Sequence, residues 1–223
     1  MIHSRRGFFR RTLTVAAAAT FSELTRGSAA SAQTALNPEV ALQQLMEGNR
    51  RFAEGRMTSF TDDLEVLKAK TAEKQEPFAA VLSCADSRVP VELIFDQSIG
   101  HIFVTRVAGN IATSAIIASL EYGAAVLGTK AIMVLGHANC GAVKASIEAK
   151  AVPGQISGLY PYIRPAVDQA GSDLDGAIKA NARIQAALLR QSSPVLAEQI
   201  KQNQLKIVSA YYDLASGNVS LLD

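Results

Sequence analysis

Past residue 32 the chain alternates two hydrophobic rhythms. Val40, Leu42, Leu45, Met46 and Phe52 recur at helical spacing. Ahead of them, Asn37-Pro38-Glu39 supplies an N-cap, a proline for the first turn and an acid near the positive helix end. A second helical stretch is predicted over about 61–74. Residues 78–84, Phe-Ala-Ala-Val-Leu-Ser-Cys, form a short and nearly continuous apolar run, the pattern of a strand buried on both faces. The alternation then repeats: strand 101–106, helix 114–127, strand 130–136, helix 140–150, and helices over about 172–191 and 194–203. Residues 205–213 and 218–222, split by Ser216-Gly217, read as a closing hairpin. Strands alternating with helices predict an α/β domain. Its central sheet is mainly parallel and flanked by helices, with an N-terminal helical arm and a C-terminal hairpin.

The first 32 residues follow a different pattern. Ser4-Arg5-Arg6-Gly7-Phe8-Phe9-Arg10 precedes an apolar, alanine-rich run from Leu13 to Phe21, and a small-residue stretch ends in Ala30-Ser31-Ala32. That order is the pattern of a cleaved signal peptide, and the paired arginines indicate the twin-arginine export route. The apolar run is far shorter than the roughly 20 residues needed to span a bilayer. The expected organisation is therefore a leader at 1–32 and one domain at 33–223. The mature protein is expected outside the cytoplasm, in a periplasm or a thylakoid lumen, with no membrane attachment.

Removing 32 residues from a chain of 223 leaves 191, enough to bury about 70% of the unfolded surface without disulfide staples. The chain has 22 basic and 20 acidic residues; the leader holds five of the first and one of the second, leaving 17 and 19, a net charge of −2. The apparent basicity belongs to the leader, and no nucleic acid or membrane surface is expected as a partner. The chain contains no internal repeat or low-complexity linker beyond the leader.

Two segments fall where strands give way to turns, at the carboxyl edge where α/β folds collect ligands. They are Cys84-Ala85-Asp86-Ser87-Arg88 and Gly136-His137-Ala138-Asn139-Cys140-Gly141. Thiolate and imidazole are the ligands zinc prefers, and three protein ligands leave a fourth position open. His137 and Cys140, three apart around a turn, can grip one metal, with Cys84 arriving from a neighbouring strand. A helix N-terminus at Cys140 would favour its thiolate. Taken singly, the same residues have plainer readings: an exported Cys84–Cys140 disulfide, a structural histidine, an Asp86–Arg88 loop ion pair.

Together the two segments resemble the signature of the β-class carbonic anhydrases, Cys-x-Asp-x-Arg followed by His-x-x-Cys, with similarity from about Gln75 to Lys144 and more loosely to the closing hairpin. The resemblance implies reversible hydration of carbon dioxide to bicarbonate and one Zn2+ per chain held by Cys84, His137 and Cys140. It implies that Asp86, kept in place by Arg88, orients the zinc-bound hydroxide. Gln75 matches a substrate-binding glutamine, Phe103 and Tyr122 match aromatic positions of the substrate pocket, and Gly141 matches a backbone group beside the metal. The family assembles this pocket between subunits, so a homodimer or a multiple of dimers is implied, with the helix from Pro38 embracing the partner.

Ala108 stands where many members carry valine. Val81 stands where members with a regulatory bicarbonate site carry tryptophan, although Arg106 of that site is present; the expectation is an unregulated enzyme. His101 is expected at the surface, and no proton shuttle is identified. Relatives of this fold act on carbonyl sulfide or carbon disulfide with the same metal centre, and the motifs do not separate those substrates from carbon dioxide. A zinc protein without turnover is the non-enzymatic alternative, against which the intact Asp86–Arg88 pair argues.

Overall fold

The computed structural model describes residues 35–59, 68–69 and 71–222; the expected leader and most of the expected helix at 61–74 lie outside them. The elements are α1 (Pro38–Ala53), β1 (Ala79–Ser83), α2 (Val91–Ile94), β2 (Ile102–Arg106), α3 (Ser114–Glu121), β3 (Ala131–His137), α4 (Gly141–Glu148), α5 (Tyr160–Ala170), α6 (Leu174–Ser192), α7 (Pro194–Lys201), β4 (Lys206–Tyr212) and β5 (Val219–Leu221). One five-stranded sheet runs β2-β1-β3-β4-β5. Its first four strands pair in parallel, and β5 returns antiparallel against β4.

Side chains alternate across each strand, so the apolar runs at β1 and β3 feed two cores at once. Ala79, Val81, Ala131, Met133 and Leu135 pack on one face with Leu42 and Leu45 of α1 and Ile94 and Phe95 around α2. Ala80, Leu82, Ile132 and Val134 pack on the other with Leu120 of α3 and Ala182, Ala186 and Leu189 of α6. Every residue of β1 and β3 is buried. Val81, the position of the absent tryptophan, is fully buried on the α1 face.

Polar clamps fix the outer pieces. Asn37 caps α1 through the Val40 amide at 2.9 Å, as its sequence position predicts. Asn49, buried on α1, donates to the carbonyls of Ile94 and Gly217 and accepts from the Val219 amide at 2.8 Å, tying the first helix to the closing hairpin. Gly48 beside it admits a close approach: a Cβ there would stand 1.9 Å from the Phe95 carbonyl oxygen. Asp96 is buried, which alone would push its carboxyl up. The amide and hydroxyl of Ser59, the Arg51 guanidinium and the Thr58 amide outweigh that and hold it below the usual carboxylate range.

The expected helix at 114–127 runs as α-helix to Glu121 and widens into a π turn over Tyr122–Val126, where the Leu127 amide reaches the Tyr122 carbonyl. At Gly123 in that turn, a Cβ would meet the Phe103 ring at 3.1 Å. α2 and α5 are additions to the sequence reading. α5 carries Pro161 in its first turn and Pro165 in its interior, and follows a 3-10 turn at Ile156–Leu159. No helix among the described residues is long and apolar enough to cross a membrane.

Candidate metal centre

β1 and β3 are parallel neighbours with Ser83 opposite Leu135, so the chain following Ser83 and the end of β3 emerge at the same sheet edge. Cys84 follows β1, His137 closes β3, and Cys140 caps α4 after a turn that puts Asn139 at φ 54°. The left-handed conformation suits Asn, whose short polar side chain tolerates it. The turn brings Cys140 back beside the strand it has just left. Cys84, His137 and Cys140 are all buried, and their ligand atoms lie within 4.8 Å of one another.

The geometry fits zinc. Two thiolates about 2.3 Å from a tetrahedral zinc stand about 3.8 Å apart; the Cys84 and Cys140 sulfurs are 4.0 Å apart, and both cysteines are free of disulfide. His137 Nδ1 lies 2.9 Å from the Ala138 carbonyl, an acceptor only, so Nδ1 carries the proton. That leaves the Nε2 lone pair, fully buried and without a hydrogen-bond partner, on the side of the two sulfurs. A buried unpartnered ring nitrogen costs stability unless something binds it, and a second ring nitrogen fixed by a carbonyl is how metal-binding histidines are oriented.

The two thiols titrate as a pair. Donation from Cys140 foremost, and from the Gly109 and Asp86 amides, pulls the Cys84 thiol down against its burial. Cys140 is pushed up because it donates to Cys84, is buried and faces the Cys84 thiolate; the amides of Val143 and Ala142 at the start of α4 oppose this.

Asp86 stands over the group, with Oδ2 3.9 Å from His137 Nε2. Arg88 holds it by both oxygens and from its own backbone amide at 2.9 Å, which keeps the carboxyl well below the usual carboxylate range. The Arg88 guanidinium also donates to the Asn139 carbonyl at 3.2 Å, joining the two motif loops. Arg106, at the end of β2, donates from Nε to the Cys84 carbonyl at 2.9 Å and from its terminal nitrogen to the Asp86 carbonyl, so it braces the loop from behind. In the sequence Arg106 matches only a regulatory site, and its role as a brace depends on the tertiary contact.

A further layer stands behind Cys84. The Gly109 amide donates to the Cys84 sulfur at 3.3 Å. Gly109 and Asn110 turn the chain through two successive positive φ values, 76° and 43°, and a Cβ at Gly109 would come 2.8 Å from Ile163. The Gly109 carbonyl accepts from Asn181 of α6 at 2.8 Å. The available sequence signal was a pair of polar residues, Asn181 and Gln185, on an otherwise apolar stripe of Ala177, Ile178, Ala182, Ala186 and Leu189.

The remaining expected residues divide. Gly141 opens α4 beside Cys140, and the space its missing side chain leaves is open. Ala108 lies half-buried in the turn that carries Gly109. Phe103 and Tyr122 meet each other, with ring centroids 6.4 Å apart, on the β2 side of the sheet. Phe103 pairs with Ala80, four residues before Cys84, hence about 13 Å back along the strand. Gln75 is exposed and precedes β1, at the amino end of the strand that delivers Cys84 from its other end. His101 is exposed at the start of β2, as expected, and lines a hollow with Glu47, Arg51 and Glu76 at that same amino end.

Residues 79–219 match the family described as carbonic anhydrase. Carbonic anhydrase 2 of Mycobacterium tuberculosis is 36% identical over 198 residues, covering 84% of this chain and 94% of that protein. Among solved structures, a Coccomyxa β-carbonic anhydrase in complex with acetazolamide is 28% identical, with a TM-score of 0.65 over 81% of this chain and 86% of that one. A tetrameric β-carbonic anhydrase of Sordaria macrospora, 22% identical, shares the fold with a TM-score of 0.65 over 71% of this chain and 87% of that one. With its parallel sheet, its paired motif loops and these relatives, the chain belongs to the β-carbonic anhydrase family and is a carbonic anhydrase.

Proposed function

We propose that the enzyme hydrates carbon dioxide reversibly to bicarbonate and a proton at one zinc per chain held by Cys84, His137 and Cys140, with Asp86 and Arg88 directing the nucleophile. The observation that carries this is the unpartnered Nε2 of buried His137 beside two free thiols, with a clamped carboxylate 3.9 Å away. When bound, zinc supplies the Lewis acidity that makes water a nucleophile at neutral pH.

The chain's own residues do the rest. Asp86 is ionised throughout the working range, so it accepts a proton-bearing hydrogen bond from the attacking oxygen and turns that oxygen's lone pair toward the carbon. Arg88 occupies both carboxylate oxygens, which leaves Asp86 one orientation. The amide of Gly141, at the positive end of α4, faces negative charge as it builds on the substrate oxygens.

Gln75, Phe103 and Tyr122 serve this chemistry through a second copy of the chain, because within one chain they lie toward the other end or the open side of the sheet. In support, β2 is an edge strand, Tyr122 and Val126 beside it are 47% and 48% exposed, and the Sordaria relative is tetrameric. The partner's aromatic pair would line a path for a nonpolar gas, and its glutamine would polarise one oxygen. The assembly is a homodimer or a multiple of dimers, embraced by α1.

Residues 1–32 act as the twin-arginine leader and carry the folded, metal-loaded domain to a periplasm or thylakoid lumen, where it needs no membrane attachment. Replacing Arg5 and Arg6 by lysine should hold the protein in the cytoplasm; export unchanged by that pair of substitutions removes the leader from the account.

Metal analysis with stopped-flow hydration tests the central reading. One zinc per chain and turnover that disappears with chelation are expected. Full turnover without metal, or none with one zinc bound, overturns it.

A further inference from the structure

We infer that Asn181, braced by Gln185, is a positioning residue of the metal centre: it fixes the Gly109 turn so that the Gly109 amide donates to the Cys84 sulfur. The inference rests on the zinc reading above.

Both residues sit on the core-facing stripe of α6 and are 0% and 1% exposed. Apolar side chains of similar size would bury there without the cost of desolvating an amide. Here the amides are engaged on both sides. Asn181 Nδ2 donates to the Gly109 carbonyl at 2.8 Å and its Oδ1 accepts from Gln185 Nε2 at 3.2 Å. Gln185 Nε2 also donates to the Tyr162 carbonyl at 3.0 Å, and its Oε1 accepts from the Ala112 amide at 2.8 Å. The pair therefore holds the segment 109–112 at both ends and anchors it to α5.

That segment needs holding. Two successive residues in left-handed conformation, one of them asparagine, are costly unless the surroundings determine them. The turn is linked to the motif by the Gly109 N–H, donated to Cys84 Sγ. Such a bond draws electron density from the sulfur and fixes where its lone pairs point. Partners of this kind, one step removed from the metal, change metal affinity by about 10–100-fold when lost. A purely structural role for Asn181 would be filled by any side chain that closes the core; the alignment of its amide on the turn that serves Cys84 is what such a role leaves unexplained.

The test uses the full-length chain, loaded with zinc or cobalt(II), and the substitution Asn181→Leu, which keeps the forked shape of the side chain and removes both hydrogen bonds. In the parent protein the Gly109 amide should exchange slowly with solvent. In Asn181→Leu it should exchange at least about 10-fold faster while the amides of β1 and β3 keep their protection. The sulfur-to-cobalt charge-transfer band should move to longer wavelength as the sulfur regains electron density, and zinc should be lost to a competing chelator about 10-fold more readily. Parent-like exchange at Gly109 with an unmoved band overturns the inference. Should Asn181→Leu fail to fold, Gln185→Met leaves Asn181 in place and should move the same two signals less far in the same direction; no movement overturns it equally. Absence of bound metal in the parent protein would instead remove the zinc reading.

Discussion

Arg88 grips Asp86 by both carboxylate oxygens, Nε to Oδ1 at 2.9 Å and the terminal nitrogen to Oδ2 at 2.7 Å. A carboxylate held this way cannot rotate to offer a different lone pair. Its depressed pKa also means it stays charged far below neutrality. Asp86→Asn should keep the zinc and lower turnover by about 100-fold or more, the scale of a lost positioned proton acceptor. The amide can present a donor where the reaction needs an acceptor. Metal analysis alongside stopped-flow hydration checks this, and parent-like turnover in the zinc-loaded variant would remove Asp86 from the mechanism.

The same clamp sets a pH expectation. Because the folded pKa lies below the unfolded value of about 3.9, the pair's contribution to stability is complete above that pH and fades only as pH falls through the depressed value. Arg88 is half-exposed, so the contribution is small after solvent screening. Arg88→Ala should therefore leave thermal unfolding at pH 7 nearly unchanged while lowering turnover. A large loss of stability at pH 7 would mean that the pair is structural first.

The Cys84 and Cys140 sulfurs stand 4.0 Å apart, about 2 Å more than a disulfide bond. Zinc-free protein exposed to a small disulfide oxidant should lose both thiols, join the two sulfurs within one chain and reduce the oxidant to its thiols. Zinc-loaded protein should resist. Thiol titration and intact mass follow the change, and the oxidised protein should take up zinc only after reduction. Equal oxidation rates with and without zinc would show that the metal does not rest on these sulfurs.

Arg106 braces two carbonyls of the Cys84–Asp86 loop from β2. Arg106→Ala should keep zinc and the fold but cost about 10-fold in turnover, with partial recovery on addition of guanidinium. Recovery separates a missing brace from general damage. An unimpaired variant would leave the brace without a catalytic consequence.

If Gln75 acts across the dimer, two inactive variants should restore each other. Cys84→Ser loses the metal and Gln75→Ala loses the partner's contribution, so in a mixed dimer one of the two sites is whole. Random mixing after dissociation should return about a quarter of parent activity, since half the dimers are mixed and each has one good site. No gain above the average of the two variants would place Gln75 in its own chain's site.

The metal group was legible because its chemistry is carried by residue types that are rare in this chain and sit at strand ends, and β1 and β3 because a doubly covered strand must be apolar at every position. What escaped the sequence depended on tertiary contacts. α5 hides behind two prolines, yet Pro161 lies where a helix tolerates a missing N–H, and the segment is held through Ile163 and Ala166. The π turn at Tyr122 breaks no local rule; it shows itself only where Gly123 meets Phe103. Asn181 has no local signature in the sequence, because the group that explains it is a carbonyl 72 positions away.

Asn49 joins Ile94, Gly217 and Val219 across as many as 170 positions. During synthesis α1 leaves the ribosome early, yet the groups that satisfy its buried amide arrive only with the closing hairpin. Cys84, His137 and Cys140 have all emerged by then. Such long sequence separation makes closure of this ring a late and slow event. The first helix of the domain is thus locked by nearly the last residues of the chain to be made.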